Sequence, residues 1–218
     1  MALPTYLELV NDVLVRMREP EVATVQENVL SKLVGKLVND TKRQVEDAYK
    51  WNALITTLTV PTVASTHLYT LTGTGQRFKI NGVRNTTQKI ELRNVPIDTM
   101  EEWLEYSTQE GAPGFYSFNG VNTSTGDVKV EVYPVPDGVY TLKFETYIPQ
   151  ANLVNDSDVL QVPSEPVILG AFARALVERG EDGGLNSSEA YGLYRSSLAD
   201  HIAIEASRFA EDDGWEAV

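Results

Sequence analysis

A chain of 218 residues, 42% hydrophobic and 22% charged, can bury a sizeable core as one domain or two small ones. It contains no cysteine, which excludes a disulfide framework, a thiolate metal site and a cysteine nucleophile, and fits a reducing compartment. Its net charge of −13, from 31 acidic and 18 basic side chains, argues against tight wrapping of nucleic acid, whose affinity comes from Lys and Arg on phosphates. The imbalance is concentrated: residues 151–218 hold 13 acidic and 4 basic side chains. Solubility, a basic partner, or a passage from which DNA is repelled would each account for such a surface.

No stretch reaches the roughly 20 unbroken apolar residues that span a bilayer, and the run from Tyr6 to Met17 is broken by Glu8, Asn11 and Asp12. Neither a membrane segment nor a secretory signal is expected. Two helix signals open the chain. Thr5 with Glu8 forms a capping box ahead of Leu7, Val10, Leu14 and Met17 at helical spacing, and Arg18-Glu19-Pro20 stops that helix. Thr24 with Glu27 reads as a second capping box. It predicts a helix from Val25 to near Lys50, roughly 39 Å long, with its stripe at Val25, Val29, Leu33, Leu37, Thr41, Val45 and Ala48, widened by Leu30, Val34 and Val38.

After Trp51 the period becomes alternating. Candidate strands are Ile55–Val60, His67–Leu71, Arg77–Ile80, Lys89–Asn94, Phe115–Phe118, Asp127–Tyr133 and Tyr140–Tyr147, separated by turn-rich pieces such as Gly73-Thr74-Gly75 and Pro136-Asp137-Gly138. Val128, Val130 and Val132 alternate with Lys129, Glu131 and Tyr133, which predicts one buried and one wet face. A short helix, Thr99 to Tyr106 with Asp98 as cap, interrupts the strands. Helices return at Ser164-Glu165-Pro166, leading through Val167 to Arg179 with Gly180 as the stop, and then from about Ser188 to Phe209 with Tyr191, Tyr194, Leu198, Ile202 and Phe209 on one side.

The expected fold is α+β: a bundle of N- and C-terminal helices, residues 1–52 and 160–210, with an inserted antiparallel β module at 53–159 and an acidic tail at 211–218.

The motifs of catalysis are missing: there is no HExxH pair, no GxSxG elbow and no phosphate loop. His67 and His201 each stand alone in settings where packing roles prevail. Gly73 and Gly75 fit a hairpin turn. Asp156 and Asp158 match the start of a calcium loop, but Leu160 and Gln161 stand where a ligand and the turning glycine belong. Glu101, Glu102 and Glu105 around Trp103 are the residue types of a sugar-cleaving site, which needs one acid on the leaving oxygen and a second on the far side. Glu101 and Glu105, four apart, share a solvent face, so anchoring of the short helix by Trp103 is favoured. No catalytic residue, cofactor or metal is therefore expected. Of the ten tyrosines, Tyr106, Tyr116, Tyr133, Tyr140 and Tyr147 fall in the β module, where sheet packing or an interface would use them.

The run Tyr6-Leu7-Glu8-Leu9-Val10-Asn11-Asp12-Val13-Leu14, with Arg16, Glu19 and a long second helix ending at Trp51, resembles the start of head-to-tail adaptors of short-tailed phages of the tail tubular protein A type. Val162-Pro163-Ser164-Glu165-Pro166-Val167, leading into Ala171-Phe172-Ala173-Arg174-Ala175-Leu176, is similar to that family's C-terminal helices. The resemblance implies a structural virion protein, assembled in the host cytoplasm. It implies a ring of subunits, usually twelve, between portal and tail nozzle, with genomic DNA only in passing. On that reading Phe209, Glu211, Asp212, Asp213 and Trp215 are candidate portal contacts, and Gly73, Gly75 and Gln76 a tail-side loop. The alternatives are a non-catalytic β module that binds carbohydrate or protein and, behind it, a hydrolase.

Overall fold

The computed structural model describes residues 3–180 and 185–209. They fall into two compact units, one made of the chain up to Leu54 with the chain from Gln150 onward, the other of Ile55–Pro149. The stretch 150–159, expected with the β module, thus belongs to the helical unit.

In the helical unit, α1 (Tyr6–Arg16) begins at the expected capping box. Thr5 Oγ1 accepts from the Glu8 N–H at 3.3 Å, and the Glu8 carboxylate accepts from the Thr5 N–H at 2.7 Å. Its buried side is Tyr6, Leu9, Val10, Val13 and Leu14, continued by Met17, whereas Leu7 is half-buried. The second helix, α2 (Val29–Ala48), starts four residues later than its sequence suggests. The cap is Asn28 with Ser31. Val25 is held outside the helix because its N–H donates to Asp156 Oδ1 at 3.1 Å and its carbonyl accepts from Ser31 Oγ at 2.9 Å. Its 20 residues span about 30 Å. The stripe is displaced too: Val29 is 84% exposed and Leu33 36%, while Val34, Leu37, Val38, Thr41 and Val45 are buried alongside Asn39, Lys42 and Glu46.

α4 (Ser164–Arg179) uses Pro163, not Ser164, as its cap residue, and Gly180 ends it in the left-handed conformation at φ +64°. The last helix, α5 (Leu185–Ala206), packs on α4, and α4 packs also on α1 and α2. On α5, Ala190, Tyr194, Ser197 and Glu205 are buried; Tyr191 is exposed, and Leu198 and Ile202 only half-buried, so the expected stripe is rotated. Leu153, Leu160 and Val162 from the segment ahead of α4 join the core.

The β unit holds two four-stranded sheets. One has the order β1 (Ile55–Pro61), β8 (Thr141–Tyr147), β3 (Lys79–Asn85), β4 (Ile90–Glu91), and the other β2 (Leu68–Thr70), β7 (Val128–Tyr133), β6 (Phe115–Val121), β5 (Arg93–Asn94). All pairings are antiparallel except β5 with β6, which is parallel. Val83, Leu142 and Phe144 from the first sheet meet Tyr116, Val130 and Val132 from the second, with Leu71 and Leu92, in one core. The short helix α3 (Ile97–Tyr106) follows Pro96; Asp98 lies in its first turn and caps nothing. α3 packs on β6 and β7, so the second face of β7 is not wet: Glu131 is 4% and Tyr133 7% exposed. Alternation along the strand was correct, and its solvent face is covered by a helix.

Candidate interaction surfaces

The loop between β2 and β3 is fixed by a carboxylate. Asp127 Oδ1 accepts the N–H groups of Gly73 at 3.0 Å and Gly75 at 3.2 Å, and Thr74 Oγ1 donates to Leu71 and accepts from the Val128 N–H. Gly73 and Gly75 have φ of +87° and +57°, which a side chain at either position would strain. Donation by Gly75 above all, then by Thr125, lowers the Asp127 pKa. The loop is thus preorganised, with Gln76 exposed at its surface.

The acids considered for catalysis are placed otherwise. Trp103 lies edge-on to Phe115 and tilted against Tyr133, each at 5.1 Å between ring centres, which pins α3 to the sheet. Asn119 Nδ2 donates to Glu131 at 2.7 Å and to Glu101 at 3.3 Å; Glu102 and Glu105 are exposed. Sequence reading missed Glu131, which appeared there as an outward residue of an amphipathic strand. Tyr116, Tyr133 and Tyr147 are buried, Tyr140 half-buried, and Tyr106 stands 83% exposed at the end of α3.

Asp156 and Asp158, the calcium-like pair, are occupied as turn-makers. Asp158 accepts from the Val154 and Asn155 N–H groups at 2.6 and 2.8 Å, which lowers its pKa, and Asp156 accepts from Val25. Their backbone carbonyls take the first N–H groups of α1, from Tyr6 at 2.7 Å and Leu7 at 3.1 Å. The turn therefore caps α1 from a distant part of the chain. Among the described residues, no group of three or more His, Asp or Glu is placed to hold a metal ion. His201 is half-buried with Nδ1 2.8 Å from the Ser197 carbonyl, and the carbonyl of His67 accepts from Val132.

Among the described residues, the open grooves of the helical unit include the following. A cleft of about 310 Å³ is bounded by Trp51, Pro163, His201 and Arg208. A second, about 590 Å³, runs beside Leu169, Leu193 and Ile204. The third, about 520 Å³, is formed where α1 ends against α4 and the start of α5, and carries Arg16, Arg18 and Arg179 beside Phe172, Leu176 and Leu193. Phe209 lies at the other end of α5, its ring edge-on to Tyr49 at 6.2 Å. The companion candidates Glu211, Asp212, Asp213 and Trp215 lie outside the described residues.

Fixed loops, a helix pinned to a sheet, and open grooves lined by the exposed Leu193 and Ile204 make up an α+β module. Residues 4–213 match the model of the SU10 adaptor protein family, and the chain belongs to that family. It is a phage adaptor, a structural component of the virion that associates with other head and tail proteins. The resemblance seen in the two ends of the sequence pointed the same way. No curated protein matches the chain. No described helix is long and apolar enough to cross a membrane.

Proposed function

We propose that the protein is one subunit of a connector ring, twelve copies around, that joins the portal to the tail nozzle and through which genomic DNA passes. The match to an adaptor family over residues 4–213 carries this reading. The charge supports it, because a net −13 with 13 acids in residues 151–218 keeps a DNA duplex from adhering to a channel wall. The preorganised loop at Gly73, Gly75 and Gln76 suits contact with the tail, since a fixed loop loses little entropy on docking. No catalytic step belongs to this function.

The test is native mass spectrometry and electron cryomicroscopy of the full chain mixed with its cognate portal. Closed rings of twelve on the portal are expected, recruiting the nozzle protein in a second step. A full chain that never joins the portal defeats the reading.

A further inference from the structure

Where α3 covers the outer face of β6 and β7, two carboxylates and one amide meet. Glu131 of β7 is 4% exposed, and its Oε1 accepts from Asn119 Nδ2 of β6 at 2.7 Å. Its other oxygen, Oε2, is buried and has no hydrogen-bond partner. The same Asn119 nitrogen donates to Glu101 Oε1 of α3 at 3.3 Å, so a second carboxylate faces the first across one amide. Among the described residues neither acid forms an ion pair, not even with Lys129 two positions along the same face of β7. A buried carboxylate oxygen without a donor is costly, and a cation is the group that two facing carboxylates are suited to hold. We propose that Glu131, Glu101 and Asn119 bind a calcium ion that clamps α3 to β6 and β7.

The ligand set is that of a hard cation. Half a turn of the Asn119 amide exchanges Nδ2 for Oδ1, and the only side-chain hydrogen bonds it breaks among the described residues are the two to these carboxylates. Oδ1 then stands 2.7 Å from Glu131 Oε1 and 3.3 Å from Glu101 Oε1. Neighbouring ligands of an ion with oxygen bonds of about 2.4 Å are about 2.8–3.4 Å apart, so the three oxygens are already spaced as one side of such a shell. Glu131 Oε2, one carboxylate bite from Oε1, adds a fourth if Glu131 binds through both oxygens, which calcium accepts and the stricter octahedron of magnesium does not favour. Glu101 is exposed and Asn119 half-buried, which leaves the solvent side open for waters and for entry of the ion. Asp156 and Asp158 differ from this site because both carboxylates there are taken by backbone N–H groups.

The test titrates terbium, a luminescent stand-in for calcium, into the full chain freed of divalent ions, excites the emission through tryptophan, and then displaces the terbium with calcium. Trp103 is placed to sensitise it, because its ring packs on Tyr133, two residues from Glu131 on the same face of β7. Saturable emission reversed by calcium is expected, with a calcium Kd on the order of 10⁻⁴ to 10⁻³ M for a site with only two carboxylates. Glu131→Gln and Glu101→Gln should each weaken binding by about tenfold or more, while Glu102→Gln and Glu105→Gln, exposed acids of the same helix, leave it unchanged. Calcium should raise the thermal midpoint of the wild type and not that of Glu131→Gln. Because Glu101 is exposed, Glu101→Gln keeps the test intact if the Glu131 variant does not fold. No saturable binding up to about 10 mM calcium overturns the inference. Binding that survives both glutamine variants, or that is lost in Glu105→Gln instead, overturns it as well.

Discussion

Asn39 and Leu153, 114 positions apart, exchange two hydrogen bonds: the Leu153 N–H donates to Asn39 Oδ1 at 2.8 Å, and Asn39 Nδ2 donates to the Leu153 carbonyl at 3.0 Å. The side-chain amide does for one residue of the incoming segment what a neighbouring strand does in a sheet. Asn11 repeats the device with Val22, at 2.9 and 3.0 Å. Asn39 is only 8% exposed, so Asn39→Leu strands a buried N–H and a buried carbonyl. Urea unfolding should show a loss of about 2–4 kcal/mol, against about 1 kcal/mol for Asn11→Ala at its wetter site. Equal costs at the two positions would show that burial is not what sets the value.

Gly170 on α4 lies tightly packed against α2 and α5. A Cβ there would lie 2.5 Å from Thr41 Cγ2 and 3.0 Å from the Tyr194 ring. Alanine gains up to about 1 kcal/mol in helix propensity, but overpacking a tight core costs about 1–3 kcal/mol. Both crowded partners are buried, Thr41 on α2 and Tyr194 on α5, so the clash should prevail. Gly170→Ala is expected to lower the thermal midpoint, and Gly170→Ala with Thr41→Ser, which removes the clashing methyl, to recover part of the loss. A midpoint at or above the wild type for the single variant would contradict this.

Features set by residues close in sequence were legible, and features set by distant ones were not. The Thr5–Glu8 box, the Gly180 stop and strands β1, β6, β7 and β8 follow from neighbours within a few residues, whereas the expected strand Arg77–Ile80 meets β3 only at Lys79 and Ile80, and Lys89–Asn94 is split between β4 in one sheet and β5 in the other. The start of α2 does not, because Asp156 holds Val25 out of the helix from 131 positions away. The buried Asn39, Lys42 and Glu46 look like the wet side of an amphipathic helix until the segment from Gln150 arrives to use them. Glu131 likewise alternates as a surface residue should, and only the packing of α3 removes it from water. At the candidate surfaces, the glycine turn could be read from composition, whereas its Asp127 anchor, 54 positions from Gly73, could not. The arginine groove was equally hidden, since Arg16 and Arg18 come from one end of the chain and Arg179 from the other.

Acid sensitivity should reside in the turn-making aspartates. The Asp158 carboxylate is held below its ordinary pKa by the Val154 N–H first and the Asn155 N–H next. A carboxylate with a depressed folded pKa stabilises above its unfolded value, about 3.9, and loses that contribution as pH falls through the folded value. Asp127 runs the same way, while Asp12, pushed up chiefly by burial, runs oppositely. Asp158→Asn should therefore be less stable than the wild type at pH 7, and the difference should shrink as pH drops below about 4. Chemical denaturation at pH 7, 5 and 3 measures it, and a gap that stays constant over that range would remove Asp158 as the cause.

Lys42 and Glu46 form an ion pair at 2.8 Å with both side chains fully buried, and each also serves the backbone of Gln150. Lys42 Nζ donates to the Gln150 carbonyl at 2.7 Å, and Glu46 Oε1 accepts the Gln150 N–H at 3.1 Å. Removing one partner of a buried pair leaves an uncompensated charge, so Lys42→Met should cost about 3–5 kcal/mol. A buried pair standing alone can be replaced by apolar residues at little cost. Here Lys42→Met with Glu46→Leu would also leave the Gln150 N–H and carbonyl without these side-chain partners, each worth about 1–3 kcal/mol when buried. The double variant should thus recover only part of the loss of the single one, and amide exchange at Gln150 should be faster in both. Full recovery in the double variant would mean that the pair does not hold the returning chain to α2.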